Sequence, residues 1–150
     1  MTTKKFSPSL HNKYDNFGRE IVKKFVNDTW NLEAKDNPDQ YGIDLVIYKG
    51  EKKVGYAEVE VRTNWKGLEF PFDELNVPER KGKLFNNDLP SLFFSVNQKG
   101  TALMYCTESV VLESRKEVSP NKYLKNEKFF KIPIKKMRYA ELWIDLLVKQ

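Results

Sequence analysis

The chain has 150 residues, 40% hydrophobic and 13% aromatic, which suits one domain with a folded core. It holds one cysteine, Cys106, and one histidine, His11, and carries a formal charge of +5. These counts exclude an internal disulfide, a His-rich zinc site and a Ser-His-Asp triad, and no run of about 18 apolar residues offers a membrane-spanning helix.

The N-terminal stretch MTTKKFSPSLHN is basic but is not followed by an apolar run. It reads as a flexible leader, residues 1–12, and not as a secretory signal. Lys13 to Asn27 follows as a helix. Tyr14, Phe17, Ile21 and Phe25 recur at helical spacing as its buried stripe, flanked by Val22 and Val26. Glu20 lies at the margin of that stripe, as a solvated helix acid or at the edge of a site.

Trp30 to Lys35 alternates and reads as a first strand. DNPDQYG, residues 36–42, is dense in turn formers and reads as a loop. Ile43 to Lys49 and Lys53 to Arg62 are two strands joined by a tight turn at Gly50. Thr63 to Asn76 is irregular and rich in aromatics. Pro78 suits the first turn of a helix over Val77 to Phe85, which carries Arg80, Lys81 and Lys83.

Ser91 to Val96 and Thr101 to Thr107 form a hairpin about Asn97-Gln98-Lys99-Gly100. Glu108 to Ser114 reads as a strand or a short helix, and Glu117 to Lys128 as a loop. Phe129 to Ile134 is a last strand, placed at an edge by Pro133. Tyr139 to Lys149 closes the chain as an amphipathic helix. Single-domain organisation results: a core over 13–107 and a basic extension over 108–150.

Charge is unevenly placed. Between Arg115 and Arg138 nine basic residues face two acids, a net +7, so the remainder of the chain is −2. Such a concentration is the footprint of a polyanion partner, or else a solvated lysine-rich surface. Lys135, Lys136 and Arg138 belong to it. The chain has no Gly-rich phosphate loop, CxxC pair or GxSxG elbow.

The second and third strands carry the chemistry. Side chains alternate along a strand, so Ala57, Val59 and Val61 share an apolar face. Glu58, Glu60 and Arg62 share the other face, beside Asp44 on the preceding strand. Three carboxylates together suit a hard divalent cation, which prefers oxygen ligands. The bland alternative is a polar outer face with the acids solvated or paired to Arg62.

Thirteen residues separate Asp44 from Glu58, with a hairpin between, a helix before and a basic helix after. This order resembles the PD-(D/E)XK nuclease superfamily. That resemblance implies an α/β class, an α+β mixed sheet, with a restriction-endonuclease-like αβββαβ core and an added C-terminal strand and helix. The superfamily holds one acid at the start of its second strand and Glu-x-Lys on its third. Asp44 matches the first. Either Glu58-Val59-Glu60 or Glu60-Val61-Arg62 matches the second, with Glu or Arg in place of lysine. In some members the second core helix supplies the lysine, where this chain offers Lys81 and Lys83. Glu20 matches a first-helix glutamate.

The resemblance implies metal-dependent hydrolysis of DNA phosphodiesters, with Mg²⁺ or Mn²⁺ held by Asp44, Glu58 and Glu60. Arg62 or Lys81 would offset phosphate charge, and Glu20 would hold a second ion. Trp65, Lys66, Arg80, Lys81, Lys83, Lys135, Lys136 and Arg138 would contact duplex or branched DNA with little sequence specificity. Trp65, Phe70 and Phe72 would stack on bases or pack in the core or rim. Small members act as dimers, so the C-terminal helix is an interface or a cap on the monomer's core. The lone cysteine and the analogy place the protein in the cytoplasm of a bacterium or encoded by a phage. The alternative is a catalytically inactive module of the same fold that binds nucleic acid or a protein.

Overall fold

The computed structural model describes residues 8–39, 42–119 and 127–142. Three layers stack on one another: a long helix, a six-stranded mixed sheet and a three-stranded antiparallel sheet.

Helix α1 (Pro8–Trp30) precedes strands β1 (Glu33–Asp36), β2 (Leu45–Lys49) and β3 (Lys52–Arg62). These three strands form an antiparallel meander. Gly50, at φ 63°, supplies the positive φ that its two-residue turn requires. The chain then leaves the sheet through β4 (Glu74–Pro78) and a 3-10 helix (Glu79–Phe85). It returns as β5 (Ser91–Asn97), parallel to β3, with Glu58 beside Phe93 and Glu60 beside Ser95. Strand β6 (Ala102–Thr107) pairs with β5, and β9 (Arg138–Glu141) pairs with β6. Between them run helix α2 (Glu108–Leu112), β7 (Lys116–Ser119), β8 (Glu127–Pro133) and a 3-10 turn (Ile134–Lys136). Strands β4, β8 and β7 make the second sheet, with β8 in the middle.

The large sheet is apolar on both faces, which is why neither is open to water. On one face Val22, Phe25 and Val26 of α1 pack against Ala57, Val59, Phe94 and Val96. Gly18 lets α1 approach closely, since a Cβ there would lie 2.7 Å from Val61. The expected stripe through Phe17 is thus turned: Gly18 is buried at its centre and Phe17 is 38% exposed. On the other face Phe93, Met104 and Cys106 pack against Leu75, Val77, Phe85, Phe130 and Ile132 of the second sheet and its 3-10 helix. Each fully buried Phe or Leu here contributes roughly 1.5–3 kcal/mol of transfer free energy.

Several expectations are corrected. Residues 8–12, expected in the flexible leader, are helical and belong to α1. Helix α1 continues to Trp30, whose ring lies 5.4 Å from those of Phe25 and Tyr105. Asn31, at φ 57°, then ends the helix in the left-handed conformation. The helix expected over Val77 to Phe85 is the end of β4 followed by 3-10 structure, because Val77 pairs with Phe130. Strand β8 is central and not at an edge; Pro133 is tolerated as its last residue, and Ile134 N–H continues the pairing to Asp73 O at 3.0 Å. Part of the expected loop after Glu117 is strand β7. Tyr139 to Glu141 is strand, where a helix was expected, and residues 143–150 of that helix lie outside the described residues.

Candidate active site

Strand alternation delivers Glu58 and Glu60 to the face of β3 that looks toward the second sheet, while Val59 points to α1. Asp44 sits one residue before β2, opposite Glu58. The two acids lock to each other's backbone. Val59 N–H donates to Asp44 Oδ2 at 2.8 Å, and Asp44 N–H donates to Glu58 Oε1 at 3.2 Å. The two carboxyl groups lie close enough to perturb each other.

Glu58 is 5% exposed, and burial is the main reason its carboxyl is pushed up to about 8, followed by the nearby charge of Asp44. Burial also raises Asp44 above its ordinary value, against the opposing Val59 N–H bond. Two carboxyls buried side by side favour the protonated form of the pair, since each disfavours the other's charge.

Lys81 enters from the 3-10 helix, with its ammonium 3.5 Å from Glu58 Oε2. Burial alone would push that ammonium down. The carboxylates of Glu60, Glu58 and Asp44 outweigh it and hold Lys81 charged. The lysine that the third strand lacks therefore reaches the site from the next element.

Glu60 is turned to Arg62, at 3.2 Å. Burial pushes its carboxyl up, but Arg62, Lys81 and Arg80 together hold it below the usual carboxylate range. Arg62 in turn donates to the carbonyl of Asn76, which ties β3 to β4. Its Nε is buried without a hydrogen-bond partner among the described residues.

The described residues contain no group of three His, Cys, Asp or Glu side chains set to hold one metal ion. The expected triple of Asp44, Glu58 and Glu60 is thus corrected to a pair. Two hard oxygen donors side by side fit a cation that keeps several waters, as Mg²⁺ does. Glu60 is committed to Arg62.

The remaining expected residues scatter. Glu20 is turned to solvent and paired with Lys23 at 3.3 Å. The acid of α1 whose charge reaches Asp44 is Asp15. It was missed because Asp15, Gly18 and Val22 share a helix face whose centre is a glycine, which leaves no hydrophobic signal. Trp65 is corrected from a base-stacking residue to a core residue: it is fully buried and its indole donates to Leu68 O at 3.2 Å. Lys66, Lys83, Lys135, Lys136 and Arg138 are exposed. Arg80 is paired with Glu127 at 2.9 Å.

A helix on one face, a β1-β2-β3 meander, a parallel return beside β3, and acids at the start of β2 and within β3 are all in place. The fold is restriction-endonuclease-like. In this fold Lys81 stands on the element between β3 and its parallel partner. No protein-family model matches the chain, and no curated protein matches its sequence. Among solved structures it is similar to a Holliday junction resolvase from Archaeoglobus fulgidus, with 13% identity and a TM-score of 0.49 over 86% of this chain and 94% of that one. It is also similar to a nuclease from a fusselovirus, with 12% identity and a TM-score of 0.49 over 97% of this chain and 93% of that one.

Proposed function

We propose that the chain is a metal-dependent nuclease that hydrolyses DNA phosphodiester bonds, with Asp44 and Glu58 as its metal ligands. The observation that carries this reading is that Asp44 and the buried Glu58 are held side by side through each other's strands, with the Lys81 ammonium 3.5 Å from Glu58. A purely structural role accounts poorly for it, since burying two acids side by side is costly unless cations compensate.

Bound Mg²⁺ or Mn²⁺ would supply Lewis acidity toward the scissile phosphate and a water of lowered pKa. Val59 N–H fixes the orientation of Asp44, and Asp44 N–H fixes that of Glu58. Lys81 is placed to neutralise charge that develops on the phosphate, the role otherwise given to a strand lysine. Arg62, positioned by Glu60 and the Asn76 carbonyl, adds positive potential beside it. Exposed Lys66, Lys83, Lys135, Lys136 and Arg138 would contact the phosphate backbone, which gives salt-dependent binding with little sequence preference. Endonucleolytic cleavage, a homodimer and an intracellular, phage or bacterial setting complete the proposal by analogy with the superfamily.

The test is cleavage of labelled duplex, single-stranded and branched DNA in Mg²⁺ or Mn²⁺. Wild type is expected to cut at least one of them, and Asp44→Asn and Glu58→Gln to cut none. Salt-sensitive DNA binding without cleavage of any substrate would favour the inactive module, which the Glu60–Arg62 pair at the lysine position otherwise recommends.

A further inference from the structure

Lys81 has one near acid and one strong one. Its Nζ lies 3.5 Å from Glu58 Oε2, which is long for an ion pair. The other Glu58 oxygen, Oε1, already accepts from Asp44 N–H. Oε2 is the oxygen left open to a cation, and Lys81 stands against it. With Asp44 and Glu58 both committed to a divalent cation, neither keeps charge for the ammonium. The Lys81 side chain is only 24% exposed, so an ammonium left there without an anion is costly.

Two observations name the anion that remains. The first is charge. Of the three acids that keep Lys81 charged, Glu60 acts on it most strongly, ahead of Glu58 and Asp44, while Arg62 opposes them. Lys81 acts in return on Glu60, and with Arg62 and Arg80 it keeps that carboxyl ionised. Glu58 and Glu60 share one face of β3 and stand about 7 Å apart along it, so one lysine reaches toward both.

The second is the backbone. Arg62 Nη2 donates both to Glu60 Oε2, at 3.2 Å, and to the carbonyl of Asn76. Asn76 belongs to β4, which runs straight into the 3-10 helix that carries Lys81. Through Arg62, Glu60 therefore also clamps the strand from which that helix starts. The helix is pinned again by Arg80 on Glu127, at 2.9 Å. Glu60 governs both the charge that Lys81 meets and the backbone that delivers it.

We propose that Glu60 is a positioning residue for Lys81, the acid that keeps its ammonium in the site once Asp44 and Glu58 have passed to a metal ion. The inference rests on the reading of those two acids as metal ligands. It gives the acid on the third strand a purpose: it holds the lysine that comes from the next element. Glu60 attracts Lys81 with and without metal, so it fixes the ammonium without setting the affinity for the ion. A charge held in place before the substrate arrives is what stabilises a reacting phosphate.

The test is acylation of the full chain with an N-hydroxysuccinimide ester, read lysine by lysine by mass spectrometry, in EDTA and in saturating Mg²⁺. Wild-type Lys81 is expected to be protected in both. In Glu60→Gln it should stay protected in EDTA, where Glu58 still pairs with it. In Mg²⁺ it should become at least about tenfold more reactive, the order set by one partly buried ion pair. Glu60→Asp, which keeps the charge, should restore protection, and exposed Lys83 should react alike throughout. Wild-type Lys81 that becomes reactive in Mg²⁺ overturns the inference, and that arm stands whether or not Glu60→Gln folds. So does Lys81 of Glu60→Gln that is protected in both conditions. A merely structural Glu60 would leave it reactive in both alike, which also overturns the inference. The rise in melting temperature with Mg²⁺ is read on the same samples. Its absence in wild type overturns the ligand reading and this inference with it, whereas its presence with Lys81 failing these expectations overturns this inference alone.

Discussion

Asp44 and Glu58 hold each other by crossed contacts: Asp44 N–H donates to Glu58 Oε1 at 3.2 Å, while Asp44 Oδ2 accepts from Val59 N–H at 2.8 Å. Each acid is fixed by the strand that carries the other. The pair is thus held across the junction of β2 and β3 by backbone hydrogen bonds.

That pairing predicts an unusual pH dependence. The Glu58 carboxyl rises from 4.5 in an exposed setting to about 8 in the folded chain. Between these values the folded state binds a proton that the unfolded state does not, so stability falls as pH rises through the window. The loss is on the order of a few kcal/mol, and Glu58→Gln should abolish it. Metal binding must expel the same proton, so the rise in melting temperature with Mg²⁺ should be larger at pH 8.5 than at pH 6.5. Thermal melts with and without Mg²⁺ at both pH values check this.

Lys81 should matter and Lys83 should not. Lys81 faces Glu58 at 3.5 Å, whereas Lys83 is exposed. Lys81→Met is expected to slow cleavage by about 10²-fold or more, as loss of one preorganised charge does. Its metal-induced stabilisation should persist, because Asp44 and Glu58 remain. Single-turnover rates and melts of Lys81→Met and Lys83→Met separate the two roles.

Glu60 is predicted to position Arg62 and not to ligate metal. Glu60→Gln should leave the Mg²⁺-induced shift in melting temperature intact. Arg62→Ala should destabilise the chain by about 2 kcal/mol, since it strips a half-buried carboxylate of its partner and β4 of its tie to β3. Denaturant unfolding of both variants, with and without Mg²⁺, reads the distinction.

On α1 the acid that counts is Asp15. Asp15→Asn removes a negative charge that raises Asp44 and should weaken Mn²⁺ binding. Glu20→Gln, at a side chain 68% exposed and paired with Lys23, should change neither binding nor cleavage. Calorimetric titration of Mn²⁺ into both variants decides between them.

The parts of the site that were legible in the sequence follow from alternation. Asp44, Glu58, Glu60 and Arg62 were placed on one face because a strand has period 2, and that period survives any error in its ends. Lys81 was found although its element was misread. The 3-10 helix still points it back at β3, but Val77 and Pro78 were already spent on pairing with β8. The choice of α1 face failed because a buried glycine is silent to hydrophobic periodicity, so Phe17 drew the stripe toward itself and Glu20 along with it. Trp65 failed for a different reason. The chain turns after Arg62, with Trp65 N–H on Arg62 O at 3.2 Å, and drops the indole between the two sheets. The second sheet pairs β4 with β8 across a long separation, which no local pattern in the sequence discloses.

The most direct test of the central claim is a crystal of the full chain soaked in Mn²⁺ at pH 8.5 and measured at the manganese edge. The account predicts an anomalous peak that bridges the carboxylates of Asp44 and Glu58, with Glu60 still on Arg62 and with no peak in Asp44→Asn. Asp44 and Glu58 still in mutual contact, with no anomalous density between them, would contradict it.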